Sequence, residues 1–250
     1  MPTLQVDSKL IECKLIVFDK DGTLIEQKPV LIALAQARFQ SLSKLVSTRV
    51  AKEWTKTVGI DMGTREIDYG GPLSFAPTRE EVLITATIVR QCENVEWNHA
   101  KELAREAYEK ADKAMKPPYG AVLIKGVEET LHKLKASGFK TALATTDSHK
   151  RAHRALDYVG ISKYLDVIIG DDDVENGKPA PDMILKACEL TECLASDTVM
   201  VGDSMGDTMM GRNAHVKACI GVVTGATSKE KLEAFADAVI PSVADLHVRE

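Results

Sequence analysis

Aromatic residues are scarce in this chain, at 5% of 250 residues. Any core must therefore be built mainly from Leu, Ile, Val, Ala and Met. Cysteine is sparse as well. Cys13, Cys92, Cys188, Cys193 and Cys219 are odd in number and form no C-x-x-C pair. That pattern speaks against a disulfide framework and a structural zinc site, and for a reducing compartment. No apolar run approaches the length of a membrane span, and Met1 to Leu10 is polar, without a signal-peptide core. The expectation is a soluble cytoplasmic protein with no membrane partner. Charge of one sign is nowhere concentrated. The densest block is Asp171-Asp172-Asp173, and the formal net charge is -5, which disfavours nucleic acid as a partner. There is no internal repeat and no low-complexity segment.

What is present is an apolar fraction of 44%, ordinary for a globular chain, arranged in a clear order. Leu15-Ile16-Val17-Phe18 reads as a short buried strand. Residues 30 to 115 lack buried strand runs. Leu31–Val50, Arg79–Gln91 and Trp97–Met115 have helical spacing or composition, and Gly59–Pro77 is punctuated as a loop. Lys116-Pro117-Pro118-Tyr119-Gly120 is a hinge candidate. Beyond it strands and helices alternate. Helices are predicted over Val127–Ser137, Ser148–Val159, Pro181–Leu190, a short stretch ending at Arg212, and Ser228–Ala236. Strands are predicted over Thr141–Thr145, Val167–Gly170, Thr198–Gly202, Ala218–Val223 and Ala238–Ile240. Alternation of this kind implies a parallel sheet covered on both faces. An insertion of about ninety residues is too long for a loop, so residues 29–116 are expected to form a helical domain of their own. The α/β core then comprises 1–28 and 117–250.

Chemistry concentrates at strand ends. Asp19-Lys20-Asp21-Gly22-Thr23 follows the first strand and puts two carboxylates into a Gly turn. The carboxyl ends of parallel strands are where open α/β sheets bind ligands. Thr145 ends an apolar strand, with Thr146 behind it. Lys178 lies in the Pro-bracketed loop Gly177-Lys178-Pro179-Ala180-Pro181-Asp182. Val199-Met200-Val201-Gly202-Asp203-Ser204-Met205-Gly206-Asp207 is a further strand ending in carboxylate.

Strand-Asp-x-Asp, strand-Thr, Lys and strand-Gly-Asp-x-x-x-Asp, in that order, resemble the four motifs of the haloacid dehalogenase superfamily of phosphotransferases. The resemblance spans nearly the whole chain and implies a doubly wound, Rossmann-like core with an inserted α-helical cap. It implies Mg²⁺ as cofactor and a small phosphorylated metabolite as substrate, in a monomer or homodimer. Carried over residue by residue, Asp19 is the nucleophile that forms an aspartyl-phosphate and Asp21 the acid/base. Thr145, Thr146 and Lys178 bind the phosphate, helped by backbone N–H groups of Thr146 and Asp147. Asp19, Asp203 and the Asp21 carbonyl hold the metal. Gly22, Thr23, Ser204 and Asp207 support the site, with Asp207 placed to reach Lys178. Lys20 is expected to point away by strand alternation.

Dehalogenase and phosphonatase members lack the second carboxylate that this chain keeps as Asp21. Gly120–Lys140 and the Lys178 loop look like the phosphoglycolate phosphatase and beta-phosphoglucomutase branch. Mutases of that branch tend to carry an acidic residue where this chain has Gly202, which favours a phosphatase over a hexose-phosphate mutase. A catalytically silent binding protein on the same fold is the alternative from another class. His149 and His153, four apart on a helix, read as a solvated basic face. Asp171–Asp173 read as a solvated loop, with Asp172 or Asp173 in reach of the lysine. Met209 and Met210 read as packing. Arg65, Tyr69 and Arg79, near the Gly-rich loop of the insertion, are candidates for reading the substrate's leaving group.

Overall fold

The computed structural model describes residues 1–116 and 119–249. The hinge candidate's Pro117 and Pro118 lie outside the described residues. The chain divides into two compact units, 1–27 with 121–250, and 28–120.

The first unit contains two sheets. Its amino end forms strands β1 (Thr3–Val6) and β2 (Lys9–Glu12), and the next strand is β3 (Leu15–Phe18). After the insertion come α6 (Val127–Ala136), β4 (Lys140–Ala144), α7 (His149–Tyr158), β5 (Val167–Ile169), α8 (Asp182–Thr191) and β6 (Thr198–Gly202). They are followed by α9 (Met205–Asn213), β7 (Ala218–Val222), α10 (Lys229–Glu233), β8 (Ala238–Ile240) and β9 (Leu246–Arg249). The large sheet has the order β5-β4-β3-β6-β7-β8, and its pairings are all parallel. From β3 the chain moves outward through β4 to β5, then crosses back to β6 and travels the other way. Right-handed crossovers put α6 and α7 on one face and α8, α9 and α10 on the other. This is the doubly wound arrangement that the alternation of elements implies.

Burial on both faces explains why β3, β6 and β7, buried throughout their length, are apolar apart from Thr198 at the start of β6. Leu15, Val17, Ala142, Ala144 and Met200 pack on one side against Met183, Ile184, Ala187 and Met210 of α8 and α9. Gly211 is a close-approach glycine in α9: a Cβ there would come within 3.1 Å of Met200 Cβ.

The small sheet, β2-β1-β9, is antiparallel and was not foreseen in the sequence reading. Leu4 and Val6 are buried and alternate with half-buried neighbours, but four residues are too few for periodicity to stand out. The partner strand β9 lies at the other end of the chain.

The second unit is helical: α1 (Gln27–Leu42), α2 (Thr48–Val58), the short α3 (Pro72–Phe75), α4 (Thr78–Glu93) and α5 (Trp97–Ala114). The single helix expected over Leu31–Val50 is broken between α1 and α2. Ser47 caps α2, its side chain accepting from Val50 N, and Ser/Thr at such a position favours a restart over continuation. Gly59, at φ 86°, stops α2. Leu42, Val50, Trp54, Val58, Ala86, Val89, Ala100, Ala104 and Ala107 form its core. A polar group lies inside that core. Arg38 Nη1 is 2.7 Å from both carboxylate oxygens of Glu81. Tyr108 OH donates to Glu81 Oε2 at 3.2 Å, and Trp54 Nε1 donates to Thr85 Oγ1 at 3.1 Å. Arg65 and Arg79 are exposed and Tyr69 half-buried in this unit.

The five cysteines are free thiols. Among the described residues no helix is long and apolar enough to cross a membrane.

Candidate active site

The acidic site is assembled where β3 and β6 end side by side. Asp19 N–H continues the ladder by donating to Val201 O at 2.9 Å. The chain then turns sharply: Leu24 and Ile25 N–H both return to Lys20 O at 2.9 Å, and Gly22 N–H reaches Ile25 O at 2.7 Å. Gly22 has φ 88°, and a Cβ there would lie 2.7 Å from the Asp203 carboxylate carbon. Both the turn and the close approach therefore require glycine. Gly225 approaches Asp203 from another side, again too closely for a Cβ.

Lys178 Nζ is 2.5 Å from Asp19 Oδ1 and 2.5 Å from Asp207 Oδ1. The loop that delivers it is fixed by Asp182 Oδ2, which accepts from Asn176 N and Nδ2. It is fixed also by Asn213 Nδ2 donating to Pro179 O at 2.9 Å. Asp207 Oδ2 accepts from Ser204 N at 3.0 Å and Ser204 Oγ at 2.6 Å. Ser204 Oγ in turn accepts from Asp207 N. The pair forms a capping box on α9. Asp207 thus caps the helix with one oxygen and holds the lysine with the other. Thr23 Oγ1 donates to Asp203 Oδ1 at 3.3 Å.

Asp19, Asp203 and Asp207 are all buried, and one oxygen from each lies within 4.8 Å of the others. Three carboxylates around one lysine leave a deficit of positive charge. Burial, then neighbouring carboxylates, push Asp203 well above the ordinary range. Burial raises Asp19 from 3.8 to about 7 although Lys178 pulls it down. Burial would drive the Lys178 ammonium down, but the two aspartates raise it. An oxygen-only, net anionic cluster of this kind fits a hard divalent cation. With Asp207 committed to Lys178 and Ser204, Asp19 and Asp203 are the side chains that could hold one.

Thr145 is buried, and its N–H donates to Ile169 O at 3.0 Å. Thr146 is half-buried beside it. The Asp147 N–H, expected to face a phosphate, instead donates to Thr145 Oγ1 at 3.2 Å.

Several expectations about charged groups are corrected. Lys20 does not point away from the acidic residues. It is buried, with Nζ 2.8 Å from Asp21 Oδ2 and 3.0 Å from Asp147 Oδ2. The turn that begins at Lys20 brings Asp21 round to its ammonium. Asp172 and Asp173 do not orient Lys178. Asp172 Oδ1 accepts from His149 N, and Asp173 Oδ2 meets His149 Nδ1 and Gly170 N. Asp171 is buried rather than solvated. His149 and His153 each place Nδ1 2.7 Å from a carboxylate oxygen, of Asp173 and Asp157 respectively. Of the two methionines read as packing, Met210 is buried and Met209 exposed.

The sequence reading missed Asp147 and Arg151 as site components. Asp147 Oδ1 accepts from Arg151 Nε. The Asp147 carboxyl is lowered to about 2 by Arg151 and Lys20 in spite of burial; the sequence reading assigns a site role only to its backbone N–H. The i, i+4 spacing to Arg151 was the available signal.

Residues 13–215 match the family model described as haloacid dehalogenase-like hydrolase. The chain belongs to this family. It is 30% identical over 215 residues to "Pyrophosphatase PpaX" of Halalkalibacterium halodurans, covering 84% of each chain. It is 28% identical over 204 residues to "Phosphoglycolate phosphatase" of Psychrobacter arcticus, covering 81% of this chain and 80% of that one. The fold is shared with the crystal structure of a predicted phosphoglycolate phosphatase from Haemophilus somnus 129pt. The TM-score is 0.67 at 20% identity, over 94% of this chain and 96% of the other. The chain is thus a haloacid dehalogenase-like hydrolase whose relatives are named as phosphatases.

Proposed function

We propose that the protein is a Mg²⁺-dependent phosphatase that hydrolyses a small phosphorylated metabolite through an aspartyl-phosphate on Asp19. One observation carries this reading: Lys178 bridges Asp19 Oδ1 and Asp207 Oδ1 at 2.5 Å. That contact fixes one oxygen of Asp19 and leaves the other available for attack. Asp19 attacks phosphorus and forms an acyl-phosphate bond, while the ester P–O bond breaks. Asp21 gives its proton to the departing oxygen. Asp21 then takes a proton from water, which attacks phosphorus, frees inorganic phosphate and regenerates Asp19. Lys178 sets positive charge beside the transferring group, and Thr145 and Thr146 are its hydroxyl-bearing neighbours at the end of β4. Mg²⁺, held by Asp19, Asp203 and the Asp21 carbonyl, would neutralise phosphoryl charge. Raised Asp21 basicity, caused first by burial, favours a protonated acid at the start of the cycle.

The helical unit, residues 28–120, is proposed as the cap of this hydrolase. Hydrolysis is favoured over the mutase reaction by the position of Gly202, where a Cβ would fall on the Asp207 side chain. No acidic side chain fits there. Relatives named for pyrophosphate and phosphoglycolate set the first substrates to try, with hexose phosphates and nucleoside monophosphates beside them. Phosphate release with Mg²⁺, absent from Asp19→Asn, tests the reaction. An acid-stable, hydroxylamine-labile phosphoprotein in wild type alone tests the intermediate. Equal phosphate release by wild type and Asp19→Asn would refute the reading, and isomerised sugar phosphate without free phosphate would turn it to a mutase.

A further inference from the structure

Lysine is almost never fully buried unless paired, and Lys20 is 1% exposed. It sits between the two aspartates of the strand-end turn, yet among the described residues its ammonium pairs with Asp21 and Asp147 and not with the Asp203 cluster. Its ammonium spans a gap between Asp21 Oδ2 at 2.8 Å and Asp147 Oδ2 at 3.0 Å. Asp147 is anchored from behind, since its Oδ1 accepts from Arg151 Nε and from Ser148 N at 3.0 Å. Arg151, Asp147, Lys20 and Asp21 therefore form a line of alternating charge from α7 to the end of β3. The consequence falls on Asp21. Its Oδ2 is tied to the line, while Oδ1 is buried with no hydrogen-bond partner among the described residues. Buried polar atoms are seldom left in that state without a functional reason.

We propose that Lys20, backed by Asp147 and Arg151, is a positioning residue that locks Asp21 so that Oδ1 alone is presented to the leaving group. The inference rests on the reading of Asp21 as the acid. A carboxylate on a single short side chain has several staggered rotamers. General acid catalysis demands one of them, with the proton within hydrogen-bond reach of the departing oxygen. Lys20 selects it by holding the opposite oxygen. The test must separate this role from a structural one, and the leaving group does so. Alkoxide departure needs the proton from Asp21, whereas acetate departure from acetyl phosphate does not.

The full-length enzyme with Mg²⁺ is assayed on phosphoglycolate, glycerol 2-phosphate and acetyl phosphate. Lys20→Met should lower kcat/KM on the two alkyl esters by about 10²-fold, the low end of general acid catalysis; kcat/KM covers the steps up to the phosphoenzyme and so leaves out the water attack that all three substrates share. The loss of kcat/KM on acetyl phosphate should be at least about tenfold smaller. Asp21→Asn should show the same split, and adding Lys20→Met to it should cost little more, because the two act as a unit. Lys20→Met/Asp147→Asn removes one charge of each sign and guards against misfolding of the single variant; it should reproduce the split. Equal losses of kcat/KM on all three substrates in a folded variant would overturn the role of Lys20, as would an undiminished kcat/KM on the alkyl esters. Wild type active on acetyl phosphate but on no ester would overturn Asp21 as the acid, and Lys20 with it.

Discussion

Asp19 is the residue whose replacement should make the metal-free protein more stable while destroying its activity. In an unfolded chain its carboxyl releases a proton near pH 3.8, whereas in the folded protein it does so near pH 7. Between those values the native state binds the extra proton, so stability falls as pH rises. At about 1.36 kcal/mol per pH unit, the interval amounts to about 4 kcal/mol, fully lost above pH 7. That value is an upper bound, because the buried carboxylates around Lys178 relax when one is removed. Asn keeps an oxygen that can accept from Lys178 and carries no charge. In EDTA at pH 8, Asp19→Asn should therefore exceed wild type by about 1 to 4 kcal/mol, or a few °C in Tm per kcal/mol. Below pH 4 the two should coincide. Mg²⁺ should raise wild type by about 2.7 kcal/mol at a hundred times its Kd and raise the variant less, since a ligand is gone. Calorimetry across pH with and without metal measures all of this. A variant less stable than wild type at pH 8 in EDTA would refute the argument, as would a difference that does not change with pH.

Lys178→Met should lower kcat/KM by about 10² to 10³-fold, as expected for removing one charge-stabilising group; steady-state kinetics on the preferred ester checks it. Gly22→Ala should destabilise the protein by about 1 to 3 kcal/mol, because φ is 88° and the new Cβ meets Asp203 at 2.7 Å. Weaker Mg²⁺ binding in titration calorimetry should accompany it. In the helical unit, Arg38→Met leaves the Glu81 carboxylate buried without this guanidinium and should cost about 3 to 5 kcal/mol in urea unfolding. Arg38→Met/Glu81→Leu should recover most of that loss.

The core strands and the four acidic, hydroxyl and lysine motifs could be read along the chain because each is local. A strand buried on both faces is a short apolar run, and a catalytic carboxylate at its end needs a turn with glycine. Leu15–Phe18 and Thr198–Gly202 are predicted with the bounds they have in the structure. Most helix ends shifted by a residue or two, since capping and not periodicity sets them; α10 stops at Glu233, short of the expected Ala236, and α1 starts at Gln27, ahead of the expected Leu31. The break between α1 and α2 was hidden because Leu31–Val50 keeps helical spacing across the cap at Ser47. The small sheet was hidden because its strands are four residues long and β1 pairs with the opposite end of the chain.

The sequence by itself determined the family, the order of the parallel-sheet elements and the identity of the acidic residues, through patterns within nine residues of one another. Tertiary structure alone decided which oxygen faces which charge. Lys178 lies 159 residues from Asp19 and Asp147 lies 127 residues from Lys20, and no spacing along the chain records such distances. Lys20 shows the difference most clearly. As a letter between two aspartates it is a surface lysine by base rate, and alternation sends it outward. The turn at Gly22 and the arrival of α7 bury it between two carboxylates, because a buried ammonium is tolerated only where opposite charge surrounds it.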